Sequence, residues 1–435
     1  MAPQPQPTSV FVLDNGASEI KAGLATASSP AIYPNAITRS RDRRVHIADE
    51  LYTECKDHSG LVYRRPYEKG HLTNWESEKA IWDRVIYEKS GIKPDETAFI
   101  LGEPSAQLPV CSANTDQIVF EEYGFATYFR SASAFLVHEN DQNENLYLPS
   151  IAGDQIEIGG DQTTKKNSKL RKSDTTLVID SSYSATTVTP IIDDKIFYPG
   201  IKRLNIGGKL LRNYLKETIS YRHYNMMDES YIVNEVKEQC CYVSTKFAED
   251  LDLCKKLSLA KNPLAIEYVL PRASAAGHVR SRTEQSDPDD QILILANERF
   301  NIPEVLFNPS DIGVSQAGIS EVIMQSLQTV PDRDVRALLL GNTVFVGGSI
   351  KFAGFQERVS RELRSLAPDD AFLRLGFPDD PITYAWQGGA RLGQQKMKLR
   401  SLQVTRKEYM EHGANICLRK FGRPSKVATT VDDEY

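Results

Sequence analysis

At 435 residues the chain is longer than one ordinary hydrophobic core organises, so two or more domains are expected. Its hydrophobic fraction of 40% and charged fraction of 25% are those of a globular protein in water, and a formal net charge of −6 gives the whole chain no drive toward nonspecific nucleic-acid binding. No apolar run reaches the length of a membrane span, so no membrane partner is expected.

The first nine residues, MAPQPQPTS, carry neither a basic region nor an apolar core and read as a short disordered lead-in, not a signal peptide. Residues 10–24, VFVLDNGASEIKAGL, hold an apolar run, an aspartate, a tight turn at Asn15 and Gly16, and a second alternating run. That pattern is strand, hairpin turn, strand. The stretch TNWESEKAIWDRVIYEKSGI predicts an amphipathic helix with Thr73 as N-cap, acidic residues in its first turn, and Trp75, Ala80, Ile81, Trp82, Val85 and Ile86 on its apolar face. TAFILGEPS, from residue 97, reads as a buried strand, residues 115–129 as a helix, and residues 134–137 as a short strand.

Residues 139–173 turn polar and charged, the mark of a long surface insertion or linker, with LYLPSIAG as an apolar island suited to docking on a partner. At residue 176, TLVIDSSYSATTVTP repeats the hairpin pattern, with Asp180 closing its first strand. Helices are expected at residues 208–218, 231–247 and 319–327, and a second polar break at 274–290 separates the strands IEYVLP and QILILANERF. Residues 337–346 read as a buried strand that runs into the glycine turn Gly347 and Gly348; after Arg423 the composition is that of a tail. Strands and helices alternating in two halves with matching hairpins suggest an α/β protein with a duplicated core.

Chemistry has few carriers here. The turn from Asp14 to Lys21 suits a nucleotide phosphate, because amides in a glycine turn can face phosphate oxygens, Lys21 adds positive charge, and Asp14 can hold a hydrated magnesium ion. An ordinary hairpin with a solvated lysine fits the same residues. The second hairpin keeps Asp180 as a metal-side carboxylate but places Ser182, Tyr183 and Ser184 in its turn, so a structural hairpin with a surface or packed tyrosine is the plainer reading. Gly347 and Gly348, like Gly207 and Gly208, sit where a helix start could meet phosphate, and also where simple tight turns use glycine. Lys237 and Glu238 read as a solvated charged pair. The basic runs at residues 39–44 and 165–172 fit solvated loops as well as contacts to DNA phosphates or acidic histone surfaces. Six scattered cysteines form no CxxC pair and seven histidines no metal-ligand spacing, which points to reduced thiols. No Ser-His-Asp, Cys-His or paired-carboxylate arrangement can be placed from spacing.

Taken together, LDNGASEIKAGL, RRPYEKGHLTNWESEKAIWDRVIY, IKRLNIGGKLLRNYL, VKEQCCYV, ANERFNIPEVLFNPSDIG, GNTVFVGGSIKFAGF and YAWQGGARLG each resemble an actin segment, in the same order. The resemblance covers nearly the whole chain outside the lead-in, the two polar insertions and the tail. It implies the two-lobed actin, Hsp70 and sugar-kinase type of fold around a nucleotide cleft. Its first lobe would comprise residues 10–138 with 384–435, and its second lobe residues 174–383. ATP or ADP with magnesium is the implied cofactor. Asp14, Gly16 and Lys21 match the first phosphate loop, with Ala17 replacing its serine. Asp180 matches the first aspartate of the second loop, whose following glycine and aspartate correspond to Ser182 and Tyr183. Gly208, Lys237, Glu238, Gly347 and Gly348 match positions near sugar, base and phosphates, and Ile382 replaces a base-contacting lysine. The water-positioning glutamine aligns at or near Ser133, which is too short for that task. These departures imply a protein that does not hydrolyse ATP.

The segment NAITRSRDRRVHIADELYTECKDHSG replaces actin's polymerisation loop and lacks its apolar tip, so filaments are not expected. YRRPYE, DQIVFEEYGFATYFRS and the insertion before the second loop resemble the sixth class of actin-related proteins. That class implies a nuclear subunit, with a cytoplasmic pool, of a Swr-type remodeller that exchanges a histone variant into nucleosomes. Its implied partners are the remodeller ATPase subunit, a zinc-finger HIT-domain subunit and other remodeller subunits, with nucleosome contact. An actin-type ATPase of low activity and a cytoskeletal actin-related subunit are the alternatives.

Overall fold

The computed structural model describes residues 7–140, 146–147, 173–271, 276–281 and 287–422. Two mixed sheets organise these residues, and each is founded on one of the hairpins. In the first half, the strand Ser9–Asn15 pairs antiparallel with Glu19–Leu24 and parallel with Thr97–Glu103, whose other edge takes Thr127–Ala132. The hydrophobic runs dictate this placement. Thr97–Glu103 is buried along its full length, as a strand must be when both faces of a parallel core are covered. In the second half, Thr176–Ser181 repeats the arrangement, pairing antiparallel with Thr186–Ile192 and parallel with Thr343–Val346.

The duplicated core is therefore a strand, a hairpin partner and a parallel neighbour, built twice. A separate apolar cluster fills each half, with Trp82, Phe99, Phe120, Tyr128 and Trp386 fully buried in the first and Tyr268, Phe345 and Phe355 in the second. Each such side chain contributes about 1.5–3 kcal/mol by leaving water.

Several elements depart from the sequence expectations. Asn15 still pairs with Ile20, so the first turn takes residues 16–19 and is not a two-residue Asn-Gly turn. The helix Trp75–Asp83 is capped by Asn74, not Thr73: the Asn74 side chain accepts from the Ser77 amide at 3.0 Å. Residues expected to form one helix over 115–129 divide into a helix from Pro109, a wider π turn ending at the left-handed Gly124, and the strand Thr127–Ala132. Residues 134–137, expected as a strand, lie in the buried helix Ser133–His138.

In the second half, the helix expected over 231–247 breaks after Cys240 and restarts at Phe247. QILILANERF is a strand only over Ile292–Leu295; Glu298–Glu304 is helical. Residues 337–346 hold the end of the helix Arg333–Leu340, then a short turn, then the strand Thr343–Val346. Most of the insertion at 139–173 lies outside the described residues, but from its apolar island Leu146–Tyr147 pairs with Leu375–Gly376 of the second sheet. Part of the polar break at 274–290 is likewise ordered, as the strand His278–Arg280 beside Ile266–Val269.

Candidate functional site: the facing hairpins

Both aspartates sit at the carboxyl ends of parallel strands, where an open α/β sheet leaves its ligand crevice. Asp14 pairs in register with Lys21, is 8% exposed, and accepts a hydrogen bond from the Ser133 hydroxyl at 2.7 Å. Ser133 opens its helix directly after the strand Thr127–Ala132, which explains how it reaches Asp14. The turn needs glycine at position 16 because any Cβ there would lie 2.5 Å from the Glu19 carbonyl oxygen; Lys21 Nζ lies 3.6 Å from the same point.

Behind this loop Asn15 is buried in a polar lock. Its amide nitrogen donates to Glu78 Oε1 at 2.5 Å and to the Tyr67 hydroxyl at 3.0 Å, and Tyr67 returns a bond to the Asn15 carbonyl at 3.2 Å. Burial pushes the Glu78 carboxyl up to about 7, against the pull of its hydrogen bonds from Asn15, Asn35 and Trp82. Spacing alone concealed this lock, since Glu78 reads as one more acidic residue in a helix's first turn.

Asp180 is partly exposed, but desolvation by its surroundings pushes its carboxyl up to about 6; the negative charge of Asp14 adds to the rise, and the Ser182 hydroxyl and Lys21 oppose it. The two aspartates and Lys21 thus share one electrostatic neighbourhood across the two halves. Gly347 completes it. It follows the strand parallel to Asp180, adopts a left-handed φ of 100°, and a Cβ there would meet Asp180 Oδ1 at 2.9 Å. The Gly347 amide is bound to the Pro381 carbonyl at 3.0 Å, and Gly348 faces open space.

The second loop closes on itself. The amides of Gly208 and Lys209, at the start of the helix Gly208–Arg222, donate to the Ser182 carbonyl at 3.0 Å and the Tyr183 carbonyl at 2.8 Å. A Cβ on Gly208 would lie 3.6 Å from Tyr183 Cα, 3.7 Å from its ring and 3.8 Å from Lys237 Nζ, so Tyr183 and Lys237 both approach Gly208. Lys237 is not the solvated lysine expected: it is buried, bonded to Asn234 Oδ1 at 2.8 Å, and burial holds its ammonium below the usual lysine range. Glu238 is exposed, accepts from Asn234 at 2.8 Å, and sits 3.9 Å from Lys237 Nζ. The Ile382 amide turns back to Asp380 at 3.1 Å.

Donors in both halves are engaged within the protein: in the first, the Gly16 amide bonds the Asp14 carbonyl at 3.2 Å and Lys21 Nζ reaches the Glu19 carbonyl at 3.5 Å; in the second, the amides of Gly208 and Lys209 are bonded as above. The site positions that sequence reasoning missed are Arg65 and Arg212, which flank the Tyr183 ring at 4.9 Å and 5.8 Å. Among the described residues, one group converges like metal ligands: His138, Glu139 and Asp194. It is tied up as a joint between the halves. His138 bonds Asp194 at 2.7 Å and Thr176 at 2.9 Å, and Lys398 covers Glu139 at 2.7 Å.

The collinear segments and the doubled hairpin core agree with the comparison to known proteins. The family model described as Actin matches residues 6–422. The chain belongs to the actin family. It is 38% identical to "Actin-like protein arp6" of Aspergillus fumigatus over 96% of each chain. It is 40% identical to "Actin-like protein ARP6" of Yarrowia lipolytica over 94% of this chain and 97% of the relative. Against "Actin-related protein 6" of Drosophila melanogaster the identity is 35%, over 93% and 97%. Similarity of this extent identifies an actin-related protein of the sixth class, with the actin fold expected from its sequence.

Proposed function

We propose that this protein is a non-catalytic actin-fold subunit of a Swr-type chromatin-remodelling complex that exchanges a histone variant into nucleosomes. In that role it supports transcription regulation and genome stability. The observation that carries the reading is the second phosphate loop of an otherwise intact actin fold: its helix-start amides are spent on the Ser182 and Tyr183 carbonyls. Hydrolysis needs donors aimed at developing phosphate charge and a group that orients water. Ser133, at the second of those positions, is bound to Asp14 at 2.7 Å.

The fold then works as a shaped scaffold. The remodeller ATPase subunit, a zinc-finger HIT-domain subunit and other remodeller subunits are its proposed partners, with contact to the nucleosome, in the nucleus and with a cytoplasmic pool. Any ATP or ADP with magnesium held through Asp14, Gly16, Lys21 and Asp180 would be a weakly bound structural ligand in this reading and is not turned over. Filament formation is not part of the role. Within the segment that replaces the polymerisation loop, Leu51 and Cys55 turn inward and pack with Leu61, Tyr63 and Tyr231.

Affinity purification of the full chain from its own cells, with mass spectrometry and nucleotide extraction, tests the proposal. Recovery of a remodeller ATPase and a HIT-domain subunit is the expected result. Recovery of motor-complex or filament-branching proteins without a remodeller would favour the cytoskeletal alternative. The retained pair Asp14 and Asp180 keeps a second reading, an actin-type ATPase of low activity. It requires phosphate release from the purified chain that Asp180→Ala abolishes.

A further inference from the structure

A chain of side chains crosses between the two halves at the level of the hairpins. Arg65 belongs to the first half, where its guanidinium donates to the carbonyls of Ser18 at 2.9 Å, Asn35 at 3.3 Å and Ala17 at 3.5 Å. Its Cζ lies 4.9 Å from the centre of the Tyr183 ring in the second half. Arg212, on the helix that starts at Gly208, lies over the same ring at 5.8 Å. The ring is therefore a bridge between two guanidiniums, one anchored to the first phosphate loop and one to the second half. Burial pushes the Tyr183 hydroxyl up, but Arg65, Arg212 and Lys209 outweigh it and hold the group below the ordinary tyrosine value.

Further contacts cross in the same direction. Glu229 takes Arg41 at 3.0 Å and the Gly60 amide at 2.8 Å, His58 stacks on Tyr231 at 4.5 Å, and Arg203 donates to the Lys69 carbonyl. All of these join residues 41–69 to residues 203–231. The Tyr183 ring also lies close to Gly208, a position that the actin resemblance assigns to the nucleotide's surroundings. A side chain of that size, held from both sides, and a nucleotide cannot share the place.

We infer that Arg65, Tyr183 and Arg212, latched above by Glu229, form a built-in strap that holds the two halves closed and takes the position a nucleotide would occupy. Closure is then a property of the chain alone, and a nucleoside polyphosphate binds only by displacing the ring. Without the ring, two guanidiniums, Lys209 and Lys237 would face free space and would attract phosphate. The inference rests on the actin fold and is independent of the remodeller assignment.

The test uses the full-length chain and three variants: Tyr183→Gly, Arg65→Ala and Tyr183→Phe. Hydrogen exchange is followed in peptides covering residues 58–70 and 200–212, and Mg-ATP binding is titrated by calorimetry. A part-buried cation–π contact stabilises the closed form about fivefold to thirtyfold, so exchange in both peptides rises by about tenfold in Tyr183→Gly and Arg65→Ala. Tyr183→Phe, which keeps the ring between the arginines, stays within about twofold of wild type. Mg-ATP binds Tyr183→Gly at least about tenfold more tightly than wild type. Arg212→Gln provides the same exchange readout if Tyr183→Gly does not fold. Exchange unchanged in both ring and arginine variants overturns the strap. So does wild type binding Mg-ATP as tightly as Tyr183→Gly.

Discussion

The lock behind the first phosphate loop predicts an unusual pH dependence. Glu78 is fully buried, bonded to Asn15, and burial raises its carboxyl from 4.5 to about 7. A carboxyl whose folded pKa is raised stabilises the native state fully below its unfolded value, and that contribution is lost as pH rises through the folded value. The window here runs from 4.5 to about 7. The gap, 7 minus 4.5, is about 2.5 pH units, which at about 1.36 kcal/mol per unit makes ionised Glu78 destabilising by about 3 kcal/mol. Glu78→Gln keeps an oxygen for Asn15 and removes the ionisation. The variant should therefore gain on wild type as pH is raised from 5 to 8, by about 2 kcal/mol over that span. Urea denaturation followed by tryptophan fluorescence reads this directly, because Trp82 lies beside the lock. Other titrating groups cancel in the difference between the two proteins. A difference that stays constant from pH 5 to pH 8 would refute the reasoning.

Arg130 is buried between Asp116, at 2.6 Å, and Glu103, at 3.1 Å. Arg130→Ala leaves two buried carboxyls without their cation and should cost about 3–5 kcal/mol, seen as a lowered thermal midpoint. Two glycines, Gly207 and Gly348, should behave oppositely. A Cβ at Gly207 would press on the Ser182 and Tyr183 carbonyls at 2.6 and 2.7 Å, so Gly207→Ala should cost about 1–3 kcal/mol. Gly348 has nothing within 4 Å, so Gly348→Ala should change stability by less than about 0.5 kcal/mol in the same denaturation assay.

The hairpins were legible because they carry a period of two with an aspartate at a strand end, a signal confined to a few residues. The helix starts at Gly208 and Ile319 were legible for similar reasons. Residues 134–137 were misread because four apolar residues fit a buried strand and a buried helix turn equally well. The run ALLLGNTVFV was misread because its apolar residues belong to two elements, a helix and a strand, which meet at Gly341 and Asn342.

For the site, Asp14, Lys21, Asp180 and Gly347 were found from sequence and do come together. Lys237 was placed in solvent because a helical period shows which face is apolar, not what packs against the polar one. Arg65 and Arg212 gave no signal at all. Each is an unremarkable cation in its own segment, and only the fold places a tyrosine between them.

The helix packing within the first half has a mechanical consequence. The helix Tyr384–Gln394 lies so close to the helix Ser133–His138 that a Cβ on Gly388 would fall 1.7 Å from the Leu136 carbonyl oxygen, and Gly389 abuts Val12. Trp386 pins the same helix to the Val12 carbonyl at 3.1 Å, and Asn140 holds its first turn through the Tyr384 carbonyl at 2.7 Å. Main chain bears on main chain here, with no flexible side chain between to absorb a displacement. Such a bearing resists sliding, so the strand that carries Asp14 and the helix that carries Ser133 are held to the helix Tyr384–Gln394 as one body.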